Sequence, residues 1–158
     1  MEIVRLTAEH DAALAALIRR SLKARGLDIP GTAYFDAALD HLSAFYSAKP
    51  DRRAYFVLTD GGALVGGIGL AEFPPLEGCC ELQKLYLDDA VQGRGLGYRL
   101  IGCVEDAARA LGYRQIYLET HTNLRAAIHI YEKSGYARIE KPEAVVHATM
   151  NRFYLKAL

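Results

Sequence analysis

The sequence has no excess of charge of either sign. Its 19 Lys and Arg balance 19 Asp and Glu, so it is not built to coat nucleic acid or an anionic membrane, and any anion it holds must be gripped locally. It has no apolar run of bilayer length. Nor does it open with a basic segment, an apolar stretch and a cleavage site: Met1-Glu2-Ile3-Val4-Arg5 reads as the start of a cytoplasmic chain. Cysteine is scarce. Cys79, Cys80 and Cys103 are odd in number and two are adjacent, which suits reduced thiols and not a disulfide framework. There is no internal repeat, low-complexity tract or Ser/Pro-rich linker, so residues 1–158 are expected to form one domain. With 51% hydrophobic and 24% charged residues, that domain can bury a core without staples.

Several chemical motifs are missing too. His10, His41, His121, His129 and His147 are scattered, with no Cys-x-x-Cys or His-Glu-x-x-His among them, so no metal site is expected. No Gly-x-Ser-x-Gly elbow marks a serine hydrolase. The Cys79-Cys80 pair reads as small residues entering a strand before it reads as a nucleophile.

What is present is an alternation of strands and helices. Ile3–Leu6 reads as a strand; Thr7 caps a helix carrying Leu14, Leu17, Ile18 and Leu22, which Gly26 ends. A second helical stretch is expected over Phe35–Tyr46, with Leu39, Leu42 and Tyr46 on one side and most of its apolar residues packing on the sheet. Ala54–Thr59 and Ala63–Ala71 form a hairpin about Asp60-Gly61-Gly62. Then follow a strand at Cys80–Leu87, a helix over Gly95–Leu111, a strand at Gln115–Thr120, a helix over Leu124–Ser134, and strands at Ala137–Ile139 and near Thr149–Leu155. The fold class is α/β (α+β): a mixed, mostly antiparallel sheet of about six or seven strands flanked by helices.

The most informative stretch is Leu85-Tyr86-Leu87-Asp88-Asp89-Ala90-Val91-Gln92-Gly93-Arg94-Gly95-Leu96-Gly97-Tyr98. Three glycines in five positions let the backbone curl until its amides converge, and the first turn of the next helix adds free N–H groups and a favourable dipole. Arg94 adds a positive charge. The stretch lacks the Gly-Lys-Ser/Thr of a Walker loop and the third glycine of a dinucleotide fingerprint. An anion site is the direct inference. A glycine-rich turn that merely starts a helix, and a turn that binds ATP or GTP, are the bland alternatives.

Gln92-Gly93-Arg94-Gly95-Leu96-Gly97 resembles the Gln/Arg-x-x-Gly-x-Gly/Ala signature of the GNAT superfamily of N-acetyltransferases. Ala127-Ile128-His129-Ile130-Tyr131-Glu132-Lys133-Ser134-Gly135-Tyr136 is similar to that superfamily's Ala-Ile-x-Leu-Tyr-x-x-x-Gly-Phe block. The resemblance implies a bulge in the Cys80–Leu87 strand that splays it from Gln115–Thr120, admitting the pantetheine of acetyl-CoA. Backbone groups of Leu85, Tyr86 and Leu87 would then meet the pantetheine. Gln92, Gly93, Arg94, Gly95, Leu96, Gly97 and Tyr98 would hold the pyrophosphate. A homodimer is a frequent assembly in the superfamily, and the acceptor would be a small-molecule amine or a protein amine.

Acyl transfer from a thioester to an amine needs a neutral amine and a protonated leaving thiolate. An alkylamine has a pKa of about 10.4, so a carboxylate must help take its proton. Glu81, eleven residues before Gln92, resembles the superfamily's glutamate base; the bland reading is a strand-end carboxylate. Glu119 on the neighbouring strand is the reserve. The thiolate, with a pKa of about 8.5, can take a proton from a tyrosine. Tyr131 matches the superfamily's tyrosine acid, although the helical stripe of Leu124, Ala127, Ile128 and Tyr131 also fits core packing. One departure is that Leu124 stands where many relatives carry an asparagine; Asn123 is one position away. The oxyanion would be met by a backbone N–H such as that of Leu87. A non-catalytic acyl-CoA sensor would keep the turn and lose the chemistry.

Overall fold

The computed structural model describes residues 1–146 and 149–158. Seven strands form one sheet in the order β1-β2-β3-β4-β5-β7-β6. They are β1 (Glu2–Arg5), β2 (Ala54–Asp60), β3 (Ala63–Glu72), β4 (Cys79–Leu87), β5 (Gln115–Thr120), β6 (Ala137–Ile139) and β7 (Arg152–Ala157). Every pairing is antiparallel except β4 with β5. That parallel pair needs a crossover, which α3 (Leu96–Ala110) supplies.

Alternation along the strands sends the sheet's apolar residues to two faces. On one, Leu100, Val104 and Ala108 of α3 recur every four residues and pack with Leu58, Ile68, Leu70, Leu82, Ile116 and Leu118, joined by Tyr131 of α4 (Arg125–Lys133). On the other, Leu14, Ile18 and Leu22 of α1 (Asp11–Ala24) and Tyr46 of α2 (Leu42–Ser47) cover Tyr55 and Val57. Beyond α1, the same face carries a smaller cluster of Cys79, Tyr117 and Phe153. Each fully buried aliphatic side chain contributes about 1.5–3 kcal/mol. Among the described residues no helix is long and apolar enough to cross a membrane.

Two sequence expectations are corrected. The segment expected as one helix over Phe35–Tyr46 is broken into single 3-10 turns at Ala33–Phe35 and Leu39–His41, followed by the six-residue α2. Leu39, Leu42 and Tyr46 are buried as expected, but Phe35 is 61% exposed. The break has a local cause: Asp36 adopts an extended ψ of 122°, and its Oδ1 accepts the Ala38 N–H, the kind of side-chain bond that competes with helix. The last strand begins at Arg152, three residues later than expected, because pairing with all of β5 sets its register from Thr120↔Arg152 to Gln115↔Ala157. The three cysteines are free, and Cys79 and Cys80 are buried. His147 lies outside the described residues.

β4 makes the cleft. It pairs with β5 only through Cys79, Cys80 and Glu81, leaving Leu82 to Leu87 without a ladder partner on that side. On its other side, the register with β3 passes from Gly69↔Gln83 to Gly67↔Tyr86, so Ile68 faces both Lys84 and Leu85. This is a β-bulge, and it bends the strand away from β5. Lys84 takes φ +52°, alone among the described non-glycine residues in the left-handed region. Such a residue persists only when its surroundings hold it. Here the Tyr55 hydroxyl donates to the Lys84 carbonyl at 2.8 Å. Glycines make room for that tyrosine: a Cβ at position 67 would stand 2.6 Å from Tyr55 Cε1, and one at position 69 would collide with the same ring and stand 3.0 Å from the Tyr46 hydroxyl.

Candidate active site

Where β4 splays, a groove of about 390 Å³ opens between its outer half and the helices α3 and α4. Leu85, Tyr86 and Leu87 form one wall, Val91 to Gly93 and Gly95 to Tyr98 the end, and Leu124, Ala126, Ala127, His129 and Ile130 the other wall; Ser21 and Arg25 of α1 close it. Of the residues nominated for cofactor binding, nine line this groove. The tenth, Arg94, has an exposed side chain outside the lining.

The end of the groove is an array of unspent donors. The Gln92 N–H reaches Asp89 O at 3.4 Å, and the Arg99 N–H bonds Gly95 O at 3.3 Å. Between them the amides of Gly93, Arg94, Gly95, Leu96, Gly97 and Tyr98 have no acceptor among the described residues. Gly93 at φ +76° and Gly95 at φ +72° produce this curl, a backbone conformation that costs any other residue more. The helix dipole of α3 adds to the field at the same point. The Gln92 side chain turns back into the loop, donating to Leu87 O at 3.2 Å and to Asp89 Oδ1 at 2.8 Å. Free amides, a helix start and an unpaired strand edge suit a ligand that is anionic at one end and amide-bearing along its length. These features fit the diphosphate and pantetheine of coenzyme A.

Neither of the two nominated catalytic side chains, Glu81 and Tyr131, is among the residues that line this groove. Glu81 is partly buried on the last residue of β4 that pairs with β5. Burial first, then the neighbouring Glu119 carboxylate, push its pKa up to about 7, against smaller opposing effects from Gln83 and Lys84. A short relay holds it: the Gln83 amide donates to Glu81 Oε2 at 3.2 Å, and the buried Tyr46 hydroxyl donates to Gln83 Oε1 at 2.7 Å. Glu119 accepts from the Tyr117 hydroxyl at 3.0 Å, and Phe73 stacks on that tyrosine at 4.1 Å between ring centroids. Tyr131 is 5% exposed and follows Ile130 of the groove wall. Its hydroxyl has no hydrogen-bond partner in the protein among the described residues, and burial, then the nearby Tyr86, raise its pKa. It therefore stays protonated at neutral pH.

Sequence reasoning did not find Ser21, Arg25, Val91, Ala126, His129 or the Tyr46–Gln83 relay. The relay carries no sequence signal, because its members stand 37 positions apart. Asn123 is engaged elsewhere: its Nδ2 donates to the Arg25 carbonyl at 3.0 Å. Among the described residues no three His, Cys, Asp or Glu side chains gather as a metal site.

The sequence model of the acetyltransferase (GNAT) family matches residues 16–136. An uncharacterised N-acetyltransferase of Escherichia coli strain K12, YjgM, is 38% identical over 141 residues, covering 86% of this chain and 81% of its own. A GNAT-family acetyltransferase from Staphylococcus aureus Mu50 has the same fold, with a TM-score of 0.84 at 19% identity over 99% of this chain and 98% of its own. YncA of Salmonella typhimurium, a structure solved with acetyl-CoA, superposes with a TM-score of 0.76 at 18% identity over 99% of this chain and 93% of its own.

Proposed function

The chain belongs to the acetyltransferase (GNAT) family, and we propose that residues 1–158 form one domain that passes the acetyl group of acetyl-CoA directly to a primary amine. In this reading the six unspent amides of Gly93 to Tyr98 hold the diphosphate, and the open edge of β4 from Leu85 to Leu87 receives the pantetheine as an added strand would. Acetyl-CoA supplies the activated thioester. Glu81 takes the proton of the acceptor amine, directly or through a water. Tyr131 gives a proton to the departing sulfur. The backbone N–H of Leu87 is the donor proposed for the developing oxyanion.

The observation that carries this reading is the coincidence of the free amides with the splay of β4. Glu81 stands at the apex of that splay. A pKa of about 7 lets its carboxylate be ionised near neutral pH while it is basic enough to draw a proton, the balance a general base requires. Direct transfer is supported by the thiols. Burial pushes Cys79 up to about 11 and Cys80 up to about 12, so neither is a thiolate nucleophile at neutral pH.

The test is thiol release from acetyl-CoA across a panel of small-molecule amines and peptides. Release should depend on the amine, with intersecting kinetics and no acetylated protein by mass spectrometry. Tyr131→Phe should lower kcat by ten-fold or more, on the order of a general acid's contribution, with little change in CoA affinity. Unchanged turnover in that variant would remove Tyr131 from the mechanism. Accumulation of acetyl-protein would replace direct transfer by a two-step route.

A further inference from the structure

The groove's lining includes two basic side chains, Arg25 and His129, and Arg25 has an unusual set of bonds. It lies just past the end of α1, and its carbonyl accepts from Asn123 Nδ2 at 3.0 Å, in the loop after β5. Its Nη1 donates to Ser21 O at 3.0 Å, while Nη2 donates to Asp89 Oδ1 at 2.8 Å, in the loop after β4. Arg25 thus spans the two lips of the cleft where the central strands separate. Asp89 Oδ1 is shared: the Gln92 side chain donates to it at 2.8 Å, so the guanidinium lies one carboxylate away from the curled turn.

We propose that Arg25 reads the diphosphate of the carrier, its guanidinium exchanging Asp89 for phosphate oxygens when coenzyme A enters. This rests on the groove being the coenzyme A site, and it assigns the site a charge that the sequence had placed on Arg94. Asp89 is a weak holder. Its side chain is 69% exposed, and ion pairs of that exposure contribute between about 0 and 1 kcal/mol. A guanidinium fork on a phosphate is a stronger, geometrically matched pair. The turn does not need the Arg25–Asp89 bond to keep its shape. Asp88 accepts the Ala90 N–H at 3.0 Å and pairs with Arg20 at 2.7 Å, and Gln92 holds Leu87 O and Asp89 independently. The guanidinium is already held at one end by its Nη1 bond to Ser21 O and the Arg25 backbone by Asn123, so turning Nη2 from Asp89 to a phosphate oxygen orders little new chain.

Calorimetric titration of the intact protein with CoA, dephospho-CoA and pantetheine tests this, using wild type, Arg25→Gln, Arg25→Lys and Asp89→Asn. Arg25→Gln is expected to weaken CoA and dephospho-CoA equally, by about ten- to a hundred-fold, leave pantetheine unchanged and flatten the salt dependence of CoA binding. Arg25→Lys should recover part of the loss. Asp89→Asn should bind CoA as tightly as wild type or more so, because the competitor for the guanidinium is gone. Wild-type CoA affinity in Arg25→Gln, or a penalty that vanishes with dephospho-CoA and so belongs to the 3′-phosphate, would overturn the proposal. So would an equal loss in Asp89→Asn and Arg25→Gln, or a matching loss of pantetheine, which would make the pair merely structural. Wild type that binds none of the three would instead overturn the reading of the groove itself.

Discussion

The two halves of β4 are one continuous strand with different fates. From Cys79 to Glu81 it is bonded on both edges; from Leu82 to Leu87 it is bonded to β3 alone. The paired half is core, with Cys79 and Cys80 buried. The open half walls a groove and ends at six unspent amides. The groove is therefore made by withholding a hydrogen-bonded neighbour, and at the boundary stands Glu81, whose pKa burial raises to about 7. The β2–β3 hairpin sharpens the point. Gly61 and Gly62 also have positive φ, with φ of 58° and 88°, yet the flanking Asp60 and Ala63 pair and the turn is only a turn. Glycine content alone does not make an anion site.

Three substitutions test this contrast, and the largest effect is expected at the boundary. Glu81→Gln should lower kcat/KM by about 10² to 10⁴, the usual contribution of a general base. The wild type should also show an acid limb that the variant lacks. Below about 7 Glu81 is protonated and idle, and above it the carboxylate is free, so activity rises with pH through that value. A pH–rate profile unchanged by the substitution would move the base elsewhere, with Glu119 the nearest alternative.

Next comes the floor that pins the bulge. Gly69→Ala drives a methyl into the rings of Tyr55 and Tyr46, the two tyrosines that hold Lys84 O and Gln83. Overpacking of this kind costs about 1–3 kcal/mol. Thermal denaturation should show a fall in Tm of several degrees, with KM for acetyl-CoA rising as the open half of β4 shifts. A variant as stable as wild type would mean that the tyrosines give way freely and do not set the bulge.

The smallest effect is at the relay. Gln83→Leu removes the amide that favours the ionised form of Glu81. The acid limb should move to higher pH by on the order of one unit. Glu119, Lys84, Tyr46, Tyr117, Cys79 and Cys80 would then be the charged and titratable groups left around the carboxyl. A profile that keeps its midpoint while kcat falls uniformly would make Gln83 a packing residue.

Much of this molecule is legible in its sequence. Strand and helix periods, the Asp60-Gly61-Gly62 turn and the glycine-rich start of α3 are local patterns, each written within a dozen residues, and they place six strands within a residue of their observed ends. The groove residues Leu85 to Leu87, Gln92, Gly93 and Gly95 to Tyr98 are legible for the same reason, since one stretch of chain makes both strand edge and turn, whereas Arg94 of that stretch stays outside the lining. The Phe35–Tyr46 segment is not, because its apolar spacing suits a helix while a single Asp36 side-chain bond interrupts it.

From local sequence alone come the mixed sheet, the amide-rich turn and the nomination of Glu81 and Tyr131 as proton carriers. Packing in three dimensions sets which donors stay unspent, where β4 leaves β5, and which distant side chains surround Glu81. A backbone amide's freedom depends on what every other segment fails to offer it. The pKa of Glu81 likewise depends on burial and on a carboxylate 38 positions away along the chain. Both are sums over neighbours in space, and no local pattern in the chain encodes them.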